Sequence, residues 1–365
     1  MRSALLLGAS VLCFTACRKA QGHASEMALT VDTVPVTEVR ATAPDGAILL
    51  GNAANGTRLS NGTLVIGDTG DFLVRVFDST GSPVGTFGHK GQGPGEFSGI
   101  NTLAQCARDT IYLFNNRADR LLVFSQAGDL IHGGLTPPST AMLACSPAGL
   151  FLTLGPSHDS YIPSQETAGL MYHFPVDLIR EADTMRLYDS LPGYDPRPGG
   201  RVPALAVAGS RAYVGLTDSA WVTAFDSMGK QLPAFRVSND PAPSTPMYYE
   251  HAVNSFFDNY PNLTGMQPLR QRILSVPRPP HMPAWHALFG APNGTLWIQL
   301  TALDDSVTHL RATDSLGTTI GDLTLPFPFT IFEIGNDYIL GRRENETGEQ
   351  RVVVYRTGRA GETGR

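Results

Sequence analysis

The chain has 365 residues, of which 42% are hydrophobic and 16% charged, with 38 Gly and 27 Pro. That is too apolar for a disordered chain, and the wealth of turn formers points to many short strands around a sizeable core. A formal net charge of -6 with no Lys/Arg block excludes the electrostatic footprint of a nucleic-acid binder.

Residues 1–17 read as an export signal. Met1, Arg2 and Ser3 give a short basic start, and Ala4 to Ala16 form an apolar run of 13 residues, long enough for a signal core and too short to span a bilayer. The run ends in Phe14-Thr15-Ala16-Cys17, which resembles the lipobox of bacterial lipoproteins. The resemblance implies lipid attachment at Cys17. Phe14 stands where those proteins usually carry an aliphatic residue, so ordinary cleavage and secretion stay open as the alternative. Arg18, rather than Asp, follows the cysteine, which under enterobacterial sorting implies the outer membrane. No second membrane-spanning run follows. The mature protein is expected to be exported and lipid-anchored to the bacterial cell envelope, at the outer membrane or the periplasmic face.

A polar linker covers residues 18–28. Leu29 to Arg40 then alternates apolar and polar residues, as a half-buried strand does, with no partner nearby in sequence. Residues 59–97 contain an Asn61-Gly62 turn, a strand ending in Gly67-Asp68, a second strand VRVFD, an Asp78-Ser-Thr-Gly81 turn, a third strand PVGTF and the loop GHKGQGPGEF. This outline recurs. Val76-Phe77 aligns with Val123-Phe124, 47 residues on, and LVIGD aligns with IYLFN at the same offset. Ala224-Phe225 in VTAFDSMG and Asp314 in LRATDSLG repeat it, a looser copy lies between Ala141 and Gly193, and a last copy, NDYILGRR with RVVVYRT, stops after its third strand. Such meanders cannot bury both faces alone, and radial stacking solves this. The expected fold is all-β: a single six-bladed β-propeller of four-stranded antiparallel blades over residues 29–357. The orphan strand at 29–40 supplies the missing outer strand of the last blade, and residues 358–365 form a disordered tail.

The period is interrupted once, before the fifth blade, by a segment at about 244–276. Thr245-Pro246 is a helix start, and Tyr249, Ala252, Val253, Phe256, Phe257 and Tyr260 follow at helical spacing until Pro261. A second stretch puts Met266, Leu269 and Ile273 on one side and Arg270 and Arg272 on the other. Two readings are open: a flap packed on the propeller, or a lid over the channel mouth.

The repeat texture, with GHKGQGPGEF, PAWHALFGAPNGTLWIQ and IFEIGNDYILGRR, resembles the propellers related to the NHL-repeat family, in particular its bacterial lipoproteins. That family includes interaction modules, lyases and hydrolases, so the resemblance implies fold and leaves activity open.

Four cysteines are present. Cys13 lies in the signal and Cys17 at the lipid site, which leaves Cys106 and Cys145, 39 residues apart on the first strands of neighbouring repeats. An exported protein allows a disulfide between them; two buried thiols are the alternative. GHKGQGPGEF lacks the spacing of a phosphate loop and reads as a connector fixed by Glu96 and Phe97. The nine histidines show no zinc spacing, and no nucleophile elbow exists. Trp221, Trp285 and Trp297 are expected in interblade packing.

The polar residues placed on inner strands, and so candidates to line the channel, are Arg58, Asn101, Gln105, His286 and Glu333. Only one of them is a carboxylate, which is thin for calcium. The leading expectation is a monomeric, non-catalytic module without a cofactor that binds a protein, peptide or small-molecule ligand at the axial channel mouth. The alternative is a hydrolase or lyase built on His286 and Glu333, with calcium as the possible metal.

Overall fold

The structure, a computed structural model, describes residues 29–359 except 44, 108–109, 137–139, 147–148, 155–172, 181–182, 193–194, 196, 260–266, 303–305 and 346–347. The expected signal, Cys17 and the expected linker lie outside the described residues.

Five sheets are four-stranded antiparallel meanders. The first consists of Ala53–Arg58, Leu64–Asp68, Leu73–Phe77 and Pro83–Phe87, and the second of Thr102–Ala107, Thr110–Asn115, Arg120–Ser125 and Leu130–Leu135. The third is built from Thr140–Ser146, Gly149–Leu154, His173–Arg180 and Asp183–Pro192. Pro203–Ala208, Arg211–Leu216, Trp221–Phe225 and Phe235–Arg236 form the fourth, and Trp285–Gly290, Leu296–Leu300, Thr308–Thr313 and Thr319–Leu325 the fifth. The expectation of six such blades is therefore corrected: there are five.

The remaining sheet differs in how it is completed. Thr330–Ile334, Tyr338–Glu344 and Gln350–Arg359 form a three-stranded meander, and no fourth strand follows it among the described residues. Its open edge takes two N-terminal strands. Leu29–Val31 pairs with residues 357–359 and Thr37–Arg40 with residues 351–354, both antiparallel. The single strand expected over residues 29–40 is thus broken. The Asp32 carboxylate accepts the Val34 N–H at 3.0 Å in a local turn, and Pro35 has no N–H to donate. The last strand takes in Gly358 and Arg359, two residues of the expected tail.

The recurring turn explains the register of the repeats. At Asp78 the carboxylate accepts the N–H groups of Thr80 and Ser82 at 2.8 and 3.0 Å, and Asp314 treats Leu316 and Thr318 in the same way at 2.9 and 2.8 Å. The fourth residue of the turn must take positive φ, which Gly81 does at 88°. Gly81 is required twice, since a Cβ there would sit 2.3 Å from the Glu38 carbonyl oxygen. Thr37 also donates its hydroxyl to the Ser79 carbonyl at 2.8 Å. The first blade therefore holds the N-terminal strand in place.

The core lies between sheets rather than at one centre. Leu59, Val65, Val74, Phe97, Leu103, Ile111, Leu122 and Phe124 join the first two blades. Trp285 and Tyr213 centre the contact between the fourth and fifth, while Trp297, Leu310, Phe327 and Tyr355 lie between the fifth and the closing sheet. Trp221 departs from its expectation: it is 50% exposed at the start of its strand. In the glycine-rich connector Phe97 is buried, and Glu96 accepts the Gly93 N–H at 2.7 Å and contacts His89 at 2.8 Å.

The insert contains helix α1, Pro246–Asn259, and helix α2, Gln267–Ser275. Thr245 caps α1 by accepting the Tyr248 N–H at 3.1 Å. Tyr249, Val253 and Phe257 pack on Leu269 and Ile273 of α2, and the Tyr249 hydroxyl donates to the Ile273 carbonyl at 3.0 Å. The aromatic stripe therefore joins the two helices to each other. No helix among the described residues is long and apolar enough to cross a membrane.

Asp68 ends the second strand of the first blade with its side chain out of solvent. It accepts the N–H groups of Gly51, Asn52 and Gly70 at 2.7, 2.8 and 2.9 Å and pairs with Arg75 Nε at 2.7 Å. Burial pushes its carboxyl up, but the backbone donors and Arg75 outweigh it and hold the group below its ordinary value of 3.8. Its stabilising contribution is present above that value and is lost as pH falls through the depressed one. Asp68→Asn should cost about 1–3 kcal/mol near neutrality. In denaturant titrations at a series of pH values, the variant should lose less stability than the wild type between neutral and acid pH.

Candidate functional site

The first strands of the five blades and Thr330–Ile334 stand side by side in order, and the last returns to the first. They enclose an axial cavity of about 500 Å³. Its polar wall is concentrated where the first blade meets the closing sheet. Glu333 accepts the hydroxyls of Thr57 and Tyr338, and the backbone N–H of Arg58 at 3.3 Å. The Arg58 guanidinium lies 4.8 Å from the centre of the Tyr338 ring. Its Nε is buried without a hydrogen-bond partner.

Burial is the largest influence on Glu333 and raises its carboxyl above the ordinary value of 4.5, against the donors from Thr57, Tyr338 and Arg58 and the Arg58 charge. Burial likewise raises the Tyr338 hydroxyl, reinforced by the neighbouring Glu333 charge, so it stays protonated and acts as a donor. The position of Tyr338 depends on Gly335. A Cβ at residue 335 would fall 2.0 Å from Cε1 of the Tyr338 ring, so only glycine lets this hairpin fold the phenol back toward Glu333.

Of the expected channel residues, Arg58, Gln105 and Glu333 line this cavity. Asn101 does not: it precedes its strand, donates its N–H to Phe114 at 2.9 Å and accepts the Asn55 amide at 3.0 Å. His286 lines a different cavity. Thr57 and Tyr338 join the site without being among the expected residues. Thr57, adjacent to Arg58, passes as an ordinary strand residue, and Tyr338 becomes visible only through the Glu-Ile-Gly-Asn-Asp-Tyr turn that brings it back over residue 335.

Cys106 and Cys145 are joined by a disulfide with Cα atoms 5.3 Å apart, which links the inner strands of the second and third blades in the cavity wall. A bridge closing a loop of this length restricts the unfolded chain by about 4 kcal/mol in the chain-entropy model. Mass spectrometry after alkylation of unreduced, denatured protein should leave both cysteines unmodified, and reduction should lower the thermal midpoint.

The second cavity, of about 440 Å³, lies under the insert at the opposite ends of the inner strands. His286 is the second residue of its strand, whereas Leu288, Phe289 and Gly290 at the other end face the axial cavity. Tyr248, His251, Ala252 and Ser255 of α1 form one wall. Burial pushes the Tyr248 hydroxyl up to about 12. Asp195 takes both arms of Arg197, with Nε at 2.7 Å, and Arg197 also donates to the Pro277 carbonyl at 2.8 Å. This arginine is consumed in tying the loop to the insert. Among the described residues, no group of three or more His, Cys, Asp or Glu could hold a metal ion.

No family model matches the sequence, and no curated protein does. The arrangement is that of a β-propeller, and solved structures share it. A member of the DUF4221 family from Bacteroides vulgatus matches at 10% identity and a TM-score of 0.56, over 92% of this chain and 99% of that one. A Bacteroides fragilis protein whose name describes it as exported matches at 14% identity and a TM-score of 0.53, over 90% and 95%. Virginiamycin B lyase from Staphylococcus aureus reaches 11% identity and a TM-score of 0.45, over 90% and 99%. For the two Bacteroides structures, at these identities, the likeness is one of fold.

Because the Glu333 carboxyl holds its proton to higher pH when folded, its contribution to stability is greatest below the ordinary carboxylate value. That contribution is lost as pH rises through the raised value. Glu333→Gln removes this dependence, so its stability relative to the wild type should improve as pH rises from acid to neutral, the reverse of Asp68→Asn. Thermal melts across that range read the difference.

Proposed function

We propose that this protein is an exported propeller of the kind related to NHL repeats, anchored to the cell envelope through a lipid on Cys17, that binds a small molecule at the mouth of its axial cavity. One observation carries the reading. Residues from three sheets, Thr57 and Arg58, Gln105, and Glu333 with Tyr338, converge on a cavity of about 500 Å³, within the usual range for small-molecule sites. A purely structural channel needs no such convergence of polar groups. The hydrolase or lyase alternative rests on His286 and Glu333 acting together, and these line separate cavities, so the geometry supports binding over catalysis. Glu333 is the one carboxylate in the axial lining, which gives calcium little to hold it.

Ser210, exposed at the cavity rim, offers a test. In a thermal-shift screen of metabolite-sized compounds, wild-type hits should disappear in Ser210→Trp, whose indole obstructs the mouth. Hits that persist unchanged would place binding elsewhere. For the anchor, Cys17→Ser should move the protein from a salt-washed membrane fraction to the soluble one. Continued membrane retention would refute lipid attachment.

A further inference from the structure

We propose that the axial cavity takes an apolar molecule bearing a single carboxylate, and that Arg58 anchors that carboxylate with Gln105 beside it. This rests on the axial cavity being the binding site. Among the described residues the Arg58 side chain makes no hydrogen bond and no ion pair; it lies against the face of Tyr338 and acts on Glu333 only through its charge. Glu333 makes no hydrogen bond to the guanidinium; its oxygens accept from Thr57, Tyr338 and the Arg58 backbone. A guanidinium with a buried, unmatched Nε is costly unless an acceptor arrives. A carboxylate matches its fork of donors.

Three features narrow the class. Arg58 is the sole cation among the described lining residues and offers one positive charge to match, so a monoanion is favoured over a dianionic phosphate. Among the described residues the Gln105 side chain makes no hydrogen bond, and it adds two donors from the second blade. Much of the remaining wall is apolar, with Leu103, Leu143, Leu288, Phe289 and Phe332 suiting an aliphatic or aromatic body.

Calorimetric titration with matched probes tests this: hexanoate and phenylacetate against hexanamide and phenylacetamide, with inorganic phosphate as a third arm, all at millimolar concentration. The acids should bind at least about tenfold more tightly than their amides. Arg58→Gln should abolish that difference, and Arg58→Lys, which keeps the charge but not the fork, should recover part of it. Unchanged melting of both variants would show that the loss is local. Equal binding of acid and amide, lost in Ser210→Trp, would overturn the carboxylate assignment and leave the cavity reading standing. Binding indifferent to Ser210→Trp would overturn both. Phosphate binding as tight as the acids, or no binding of either acid, would also overturn the proposal.

Discussion

The whole molecule depends on one seam. A ring of sheets buries both faces of each member only if the last meets the first, and here the junction is the cluster of Leu340, Val352 and Val354 with Ala53, Leu64, Ile66 and Phe77. Val39 from the N-terminal strand completes it. Each of the larger side chains contributes about 1.5–3 kcal/mol when fully withdrawn from water. Polar contacts align the two edges: Arg342 donates to the Ala53 carbonyl at 2.8 Å, and the Gln350 side chain accepts the Ala53 N–H at 3.0 Å. Leu29–Val31 and Thr37–Arg40 then cover the edge of the last strand, which would otherwise present unpaired N–H and C=O groups. The Glu333 cluster straddles the same seam, with Thr57 and Arg58 from its first side and Glu333 and Tyr338 from its second. Closure and site formation are one event.

What was legible in the sequence is what local chemistry dictates. An aspartate three residues before a glycine makes the same turn wherever it occurs, so Asp78, Asp226 and Asp314 mark equivalent places in their blades. Helix α1 was readable from Thr245-Pro246 and its spaced aromatics. The blade count was not. The last repeat visibly stops after three strands, and the count of six depends on one continuous N-terminal strand completing it. Its edge is covered by two short segments whose break at Asp32–Pro35 resembles any polar turn. Site residues divide along the same line. Arg58, Gln105 and Glu333 could be placed from strand position, but Tyr338 reaches the site through a close approach over Gly335 that no periodicity reveals. Asn101 was misplaced by one residue, enough to move it from the strand into the preceding bend.

The two cavities divide the molecule's exposed chemistry between opposite ends of the inner strands. At one end the connectors are short and the polar groups belong to the strands themselves, which sheet packing holds rigid. At the other, the insert carries Tyr248, His251 and Ser255 over the strand starts, and its ends are zipped together by the bridge between Pro243 and His281 and by Met282 donating to the Ala242 carbonyl at 2.8 Å. The α1 face turned to α2 is apolar and the face beside it is mixed, so the helical pair is a self-supporting unit placed over a cavity.

Arg58 and Glu333 are close enough for the arginine to draw the carboxyl's proton affinity down, yet they form no ion pair. Direct pairing would have been the simplest way to settle both charges. Instead Glu333 is held by Thr57, Tyr338 and a backbone N–H, and Arg58 lies against the phenol whose hydroxyl Glu333 holds. Tyr338 thus serves both: its hydroxyl satisfies the acid while its ring supports the cation. A core selected for stability alone would place an apolar pair at this position, or let the two charges close on each other. Holding them apart leaves the Arg58 guanidinium in the cavity lining without a hydrogen-bond acceptor, a local departure from good packing of the kind that proteins retain where a ligand supplies the missing partner.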